Sequence, residues 1–252
     1  MHRLSDTRIR WKSWLKMVPG LVPLVRLCRI VTSPAYRSER WLMRTRPDNL
    51  FQPYALTAFD RHPRVFSYVS EHVPDGATTR ILSFGCSTGE EVFSLRHYFP
   101  QAEIVGIDIN PHNIAVCRKK LQRNGDLRIR FALAGTPDTE PAASYDAVFC
   151  MSVLRHGELG ATHPESCEHL IRFADFDKTV VGLSRCLKPG GYLIIDGSNF
   201  RFSDTVTASA FEAVYGGNAS APRTDTPLYG PDNRWLRGVV YNDMIFLMKA
   251  KA

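Results

Sequence analysis

RILSFGCSTGEEVFSLRHYFPQAEIVGID, residues 80–108, is the stretch whose reading decides the fold. RILSF is an apolar run of strand length, Gly85 to Gly89 is a glycine-bounded turn, and Glu90 to Tyr98 has the spacing of a helix. EIVGID is a second strand-length run, and it ends on an acid, Asp108. Strand, turn, helix and strand in that order make one βαβ unit, so a parallel sheet is expected.

The alternation continues downstream. Asn110 is placed to cap the next helix, Pro111 suits its first turn, and Gly125 can stop it after CRKKLQRN. RIRFALA reads as a third strand, YDAVFCM as a fourth, and GYLIID as a fifth that follows the helix DKTVVGLSRCLKPGG. Near the C-terminus, LRGVV and MIFLMKA flank Tyr241-Asn242-Asp243, which predicts a terminal hairpin. Upstream, the pattern is helical but broken by prolines. In TAFDRHPRVFSYVSEHV, Thr57 is the expected helix cap, with Asp60 three residues on. The expected division is a basic helical extension or lid over residues 1–78 and a sheet domain over residues 79–252.

The net charge of +7 is unevenly placed: residues 1–78 hold 13 of the 32 Lys and Arg but only 6 of the 25 Asp and Glu. Residues 8–31, RIRWKSWLKMVPGLVPLVRLCRIV, mix these cations with apolar side chains, so they suit an anionic membrane surface or a dock on the main domain. Lys16, Pro19, Pro23 and Arg26 interrupt the run, leaving too short a span for a bilayer and no small-residue cleavage signal. A cytoplasmic protein is expected, with residues 8–31 left as either a peripheral membrane contact or a dock on the main domain. The basic segment matches no nucleic-acid recognition module. Six cysteines without a CxxC pair read as reduced, buried thiols, and His163, Cys167 and His169 do not have zinc spacing, so no metal is expected.

The turn itself indicates a ligand. Glycine lets the backbone approach a bound molecule closely, and the helix that follows presents unpaired N–H groups. Asp108, 23 residues after Gly85, is placed to accept both hydroxyls of a ribose. Glu90 and Glu91 follow directly, where they gain from the helix dipole but would repel a pyrophosphate. A cationic sulfonium bearing an amino group suits them better than a dinucleotide.

At these residues the sequence resembles the class I S-adenosylmethionine-dependent methyltransferases, and within them the chemotaxis receptor methyltransferases. GCSTGEE is similar to the cofactor loop of that branch, YDAVFCMSVL to its strand-four segment, and LKPGGYLIIDGSN to the superfamily's turn into strand five. The resemblance covers about residues 80–200. It implies an α/β, Rossmann-like seven-stranded sheet with an antiparallel last strand. It also implies S-adenosyl-L-methionine as cofactor and S-adenosyl-L-homocysteine as product. Carried over by position, Gly85, Cys86, Ser87 and Gly89 surround the methionine part and Glu90 meets its amino group. Asp108, with Ile109 and Asn110, holds the ribose; Ala132 and Leu133 meet the adenine; Met151 and Ser152 close the strand-four side. The chemotaxis branch has Arg-Asn where this chain has Met151-Ser152, which departs from recognition of receptor glutamates.

Acceptors bind at the carboxyl end of strand four in such sheets, and there His156 is the candidate base and Arg155 a candidate anion clamp. Ser198 to Phe202, Tyr229 and Arg234 are candidate lining for the acceptor. Gln52, Tyr54 and Arg61 form a candidate lid, with Arg61 reaching the methionine carboxylate. The leading expectation is O-methylation of a hydroxyl or carboxylate on a small-molecule or lipid-like acceptor. The alternatives are carboxyl methylation of a protein and a non-catalytic cofactor-binding module tethered by its basic N-terminus.

Overall fold

The computed structural model describes residues 21–45, 49–216 and 226–250. Residues 8–20 of the basic segment lie outside them. Two helices come first, α1 (Leu21–Thr32) and α2 (Pro34–Thr45), and then α3 (Pro63–His72). The βα alternation follows as β1 (Arg80–Phe84), α4 (Glu90–Tyr98), β2 (Glu103–Asp108), α5 (Pro111–Asn124) and β3 (Ile129–Leu133). It continues with β4 (Tyr145–Met151), α6 (Gly157–Thr162), α7 (Phe173–Cys186) and β5 (Leu187–Asp196), and ends on β6 (Phe211–Gly216) and β7 (Asp243–Met248).

The seven strands form one sheet in the order β3-β2-β1-β4-β5-β7-β6. Pairs from β3 through β5 are parallel, whereas β7 runs antiparallel to both β5 and β6. Alternate side chains leave opposite faces of a strand, so each face has its own core. Leu82, Val105 and Val148 meet Phe176 and Leu183 of α7 on one face. Ile81, Ile104 and Phe149 meet Val92 of α4 and Phe66 of α3 on the other. Each such buried side chain contributes about 1.5–3 kcal/mol of transfer free energy. The sheet is therefore a rigid floor from which the loops at its carboxyl edge project.

The signals around α5 hold in detail. Asn110 accepts a hydrogen bond from the His112 N–H at 2.9 Å, Pro111 opens the helix, and Gly125 ends it in the left-handed region. Two other expectations are corrected. Thr57 does not cap a helix: α3 starts at Pro63 after His62, because proline's fixed φ and missing N–H suit a first turn. Leu236 to Val240 are not a strand, and β7 pairs instead with β6 in FEAVYG, across a long connection. Gly238, at φ +71°, lies inside the segment expected to be extended.

The N-terminal helices dock on the sheet domain through α2: Leu42 is buried, and Ser38 Oγ donates to Asn110 Oδ1 at 2.6 Å. On the outside, Leu27, Val31 and Trp41 are exposed. Among the described residues no helix is long and apolar enough to cross a membrane.

Candidate active site

The strand order reverses direction between β1 and β4, and a crevice opens at the carboxyl ends of the strands on either side of such a switch point. Here the bend after β1 forms its floor. Gly85 has φ +72°, and a Cβ there would come within 2.4 Å of the Val153 side chain, so both conformation and space demand glycine. Gly89, at φ +94°, is the N-cap of α4. Ser87 and Ser152 adopt positive φ of 50° and 59° without being glycine, a strain that collects at functional sites.

Asp108 organises the bend. It accepts the N–H groups of Ser87 (2.8 Å) and Asn110 (2.8 Å) and the Asn113 amide (3.1 Å). Burial raises its pKa, and those three bonds oppose the rise. A carboxylate offers about four lone-pair directions, so one remains for a ligand hydroxyl.

The two adjacent glutamates have separate tasks. Glu90 points away from the crevice and pairs with Lys120 of α5 and with Thr88 Oγ1. Burial raises its pKa, but the bonds from Lys120 and Thr88 outweigh this and lower it. Glu91, about 100° further round the helix, faces the crevice and accepts from Ser83 Oγ at 2.7 Å. Burial pushes its carboxyl up to about 7; Ser83's hydrogen bond opposes this, the Asp196 charge adds to it, and Arg61 opposes it.

The crevice encloses a cavity of about 90 Å³. Of the sequence-predicted residues, Gly85, Cys86, Ser87, Asp108, Ile109, Asn110, Met151 and Ser152 line it, and Gln52, Tyr54 and Arg61 cover it from the segment before α3. Cys86 is buried, which holds its thiol well above the usual range and keeps it neutral. Gly89 and Glu90 are not in the lining. Nor are Ala132 and Leu133: the half-exposed Leu133 side chain turns outward, and the next two residues, Ala134 and Gly135, reach the cavity instead.

His156 and Arg155 are not brought to the cavity. His156 caps α6, its Nδ1 accepting from the Glu158 N–H at 3.3 Å, and burial lowers its pKa. Arg155 follows Val153 in a tight turn, its N–H bonded to the Val153 carbonyl at 2.8 Å. Of the acceptor candidates, Ser198, Phe200 and Phe202 line a second cavity, whereas Tyr229 is fully buried with its hydroxyl on the Pro164 carbonyl at 3.0 Å. Arg234 is in neither lining.

Sequence reasoning did not single out His62, Asn113 or Asp196. Asn113, one turn along α5 from Asn110, had a readable signal in its helical spacing. His62 and Asp196 meet only through the tertiary fold, with His62 Nδ1 3.4 Å from Asp196 Oδ2.

Three buried polar atoms of the lining, Gln52 Oε1, Ser87 Oγ and Ser152 Oγ, have no hydrogen-bond partner among the described residues. Leaving such a group unpaired costs about 1–3 kcal/mol, so their convergence on one cavity indicates a polar ligand. Hydroxyls, an amino group and a sulfonium facing Asp108 and Glu91 fit that donor and acceptor set, as in S-adenosylmethionine; a pyrophosphate facing the same carboxylates does not.

Comparison with known proteins agrees. A methyltransferase-domain family model matches residues 75–224. The demethylmenaquinone methyltransferase of Thermus thermophilus is 32% identical over 120 residues, 47% of each chain. The ubiquinone biosynthesis O-methyltransferase of Xylella fastidiosa is 29% identical over 141 residues, 55% of this chain and 49% of that one. The chain thus spans about half the length of these curated relatives. Among solved structures, the YcgJ protein of Bacillus superposes with a TM-score of 0.47 at 14% identity, over 76% of this chain and 100% of that one. The chain belongs to the methyltransferase-domain family, whose methyl donor is S-adenosylmethionine.

Proposed function

We propose that the chain transfers a methyl group from S-adenosylmethionine to a hydroxyl or carboxylate oxygen of a small, lipid-like molecule. The observation that carries this is the crevice at the switch point, where the carboxylates of Asp108 and Glu91 and three unpartnered polar atoms converge on one cavity. The cofactor, when bound, supplies an electrophilic methyl on a sulfonium, so the protein's part is to orient, to exclude water and to remove a proton. Asp108 holds the ribose through its remaining acceptor direction, and Asn110 keeps the bend in place beneath it. Gly85, Cys86 and Ser87 let the backbone approach the methionine part. Met151 and Ser152 close the opposite side, and Glu91 faces the cation in the place expected for Glu90.

The segment over the cavity acts as a lid in this reading. Small-molecule sites usually offer about 300–1,000 Å³, and the cavity holds about 90 Å³. Residues 49–61 must therefore swing outward to admit the cofactor, with Gln52 and Tyr54 closing over it afterwards. Arg61, now bonded to the Leu56 carbonyl at 3.0 Å, then turns to the methionine carboxylate. The N-terminal extension docks on the sheet domain through α2 and, through the exposed Leu27, Val31 and Trp41 beside basic side chains, is a contact for an anionic membrane from which a lipid-like acceptor arrives.

The two curated relatives are named for demethylmenaquinone and for ubiquinone biosynthesis, which supports an apolar, quinone-like acceptor, and the second is named an O-methyltransferase, which supports oxygen as the atom methylated. The test is incubation of the full chain with methyl-labelled S-adenosylmethionine and a cell extract. Label in a small, solvent-extractable product, base-stable for a methyl ether and base-labile for a methyl ester, is the expected result. Label bound to protein and released by mild base would instead establish the chemotaxis-type activity.

A further inference from the structure

Of the thirteen large apolar side chains exposed among the described residues, seven fall between Leu27 and Phe59, so this stretch carries a face rather than scattered single residues. Helix α1 gives Leu27 and Val31, one turn apart, and α2 gives Trp41. The lid gives Leu56, 76% exposed, and Phe59, 54% exposed. These elements adjoin. The Arg29 guanidinium of α1 lies 4.3 Å from the centre of the Tyr36 ring on α2, and Arg37 of α2 donates to the Ile30 carbonyl at 3.0 Å. Leu42 of α2 lines the cavity that the lid covers. Burial pushes up the phenol of Tyr54 in the lid, Glu158 adds to the rise, and Glu39 and Arg40 of α2 are near enough to act on it.

The same surface is cationic. From residue 27 to residue 64, Arg29, Arg37, Arg40, Arg44, Arg61 and Arg64 are exposed, whereas the described acids, Glu39 and Asp60, are half-buried. In sequence, RIRWKSWLKMVPG, residues 8–20, brings the same mixture of cations and apolar side chains up to α1. Apolar groups set among exposed arginines complement an anionic phospholipid bilayer, whose acyl chains take the first and whose headgroup phosphates take the second. A second copy of this face would instead set arginines against arginines.

The lid is held at its ends. Phe51 and Pro53 are buried on one side, and on the other the Asp60 N–H donates to Ser94 Oγ at 2.7 Å while its carboxylate accepts the Tyr98 hydroxyl at 2.9 Å. Asp60 turns the chain there at φ +49°, a left-handed conformation that costs a residue other than glycine some strain. Between these anchors, among the described residues, the hydrogen bonds of residues 54–59 stay within the segment: the Leu56 N–H meets the Tyr54 carbonyl at 3.2 Å, and Arg61 meets the Leu56 carbonyl at 3.0 Å. Leu56 keeps one side against the cavity, and the Phe59 ring stands edge-on to His97 at 5.1 Å. Neither side chain is free to leave water completely until the lid moves outward, so a bilayer favours the open position over the closed one.

We propose that an anionic phospholipid bilayer docks on this face and that insertion of Leu56 and Phe59 draws the lid off the cofactor crevice. The proposal rests on the methyl-transfer reading and names the partner that opens its site.

The full chain is tested with vesicles of equal parts phosphatidylglycerol and phosphatidylcholine, and with vesicles of phosphatidylcholine alone. Flotation reads docking, and release of tritiated S-adenosylhomocysteine from the preloaded chain reads the lid. Retention on the anionic vesicles should exceed that on the neutral ones by at least about tenfold and fall as salt is raised, and release should quicken at least about tenfold when anionic vesicles are added. In Leu56→Ser with Phe59→Ser, retention should drop at least about threefold and release should no longer respond to vesicles. Equal retention on the two kinds of vesicle, or none on either, overturns the partner. Retention unchanged by the double substitution, or wild-type release unchanged by anionic vesicles, overturns the part given to the lid. A wild-type dimer in sedimentation that the double substitution splits assigns the face to a second copy and overturns the bilayer. Failure of S-adenosylhomocysteine to bind overturns the methyl-transfer reading, while flotation still decides the docking face, so the two failures are distinct.

Discussion

The two ends of the crevice are built differently. The bend after β1 is local: Gly85, Ser87, Glu91 and Asp108 lie within 24 residues and bond to one another or to close chain neighbours. The β5 end is assembled from His62, from Asp196 to Phe202 and from Thr226 to Phe246, which meet only when α3, β5 and β7 pack together. The local end is crowded and fixed by backbone bonds, and the assembled end is roomy and apolar. Cofactor chemistry shared by a family needs the first kind of site, and an acceptor that varies between relatives needs the second.

The sharpest break of that contrast compares two glycines with similar dihedral angles. Gly85→Ala places a Cβ 2.4 Å from Val153 at φ +72°, whereas Gly238→Ala, at φ +71°, meets nothing within 4 Å. Thermal or denaturant unfolding should show a loss of about 3 kcal/mol or more for the first, from strain plus overpacking. The second should lose about 1 kcal/mol, from the backbone conformation alone. Equal losses would contradict the claim that the bend is the crowded end.

Next in size is Asp108→Ala, which removes the acceptor of two backbone N–H groups and, in the proposed function, of the ribose. Calorimetry should show S-adenosylhomocysteine affinity reduced by about 1–3 kcal/mol, or roughly five- to 150-fold. Unchanged affinity would sink the ribose assignment.

Glu91 gives a pH signature. Its folded pKa of about 7 stands above the ordinary value of 4.5, so the folded state binds the proton more tightly than the unfolded state. Stability then falls as pH rises from 4.5 towards 7 and levels off above that. The fall should be about 1–2 kcal/mol after allowance for partial exposure, and it should be absent in Glu91→Gln. A cationic ligand beside Glu91 draws its pKa down, so binding of S-adenosylmethionine near pH 6.5 should release a proton. Titrations in buffers of different ionisation enthalpy would detect that release, and an identical signal from Glu91→Gln would refute its place beside the cation.

The smallest effect concerns the outer face of the extension. Leu27→Ser with Val31→Ser should lower retention on anionic vesicles by a few-fold, about 0.5–1 kcal/mol, and leave S-adenosylhomocysteine binding intact. Equal flotation of the variant and the wild type would dismiss the membrane contact.

The same division explains what could be read from the residues alone. The five parallel strands, the cap at Asn110, the stop at Gly125 and the bend at Gly85 follow from neighbours a few positions apart, and all are found. The choice between Glu90 and Glu91 was not legible, since it depends on which way α4 rotates as Val92 and Leu95 bury against the sheet and on Lys120 arriving from α5. His156 looked like a base because it follows β4; its ring is engaged in capping α6. The pairing of β7 with β6 was missed because 26 residues separate Gly216 from Asp243, and Tyr241-Asn242-Asp243 offered a nearer turn. His62 carried no local sign beyond preceding a proline.

Titrating the wild-type chain in a calorimeter with S-adenosylmethionine, S-adenosylhomocysteine and, in parallel, NADH tests the central claim most directly. Saturable one-to-one binding of both adenosyl compounds and none of the dinucleotide is predicted. Binding of NADH in preference to them, or no heat from any of the three, would contradict it.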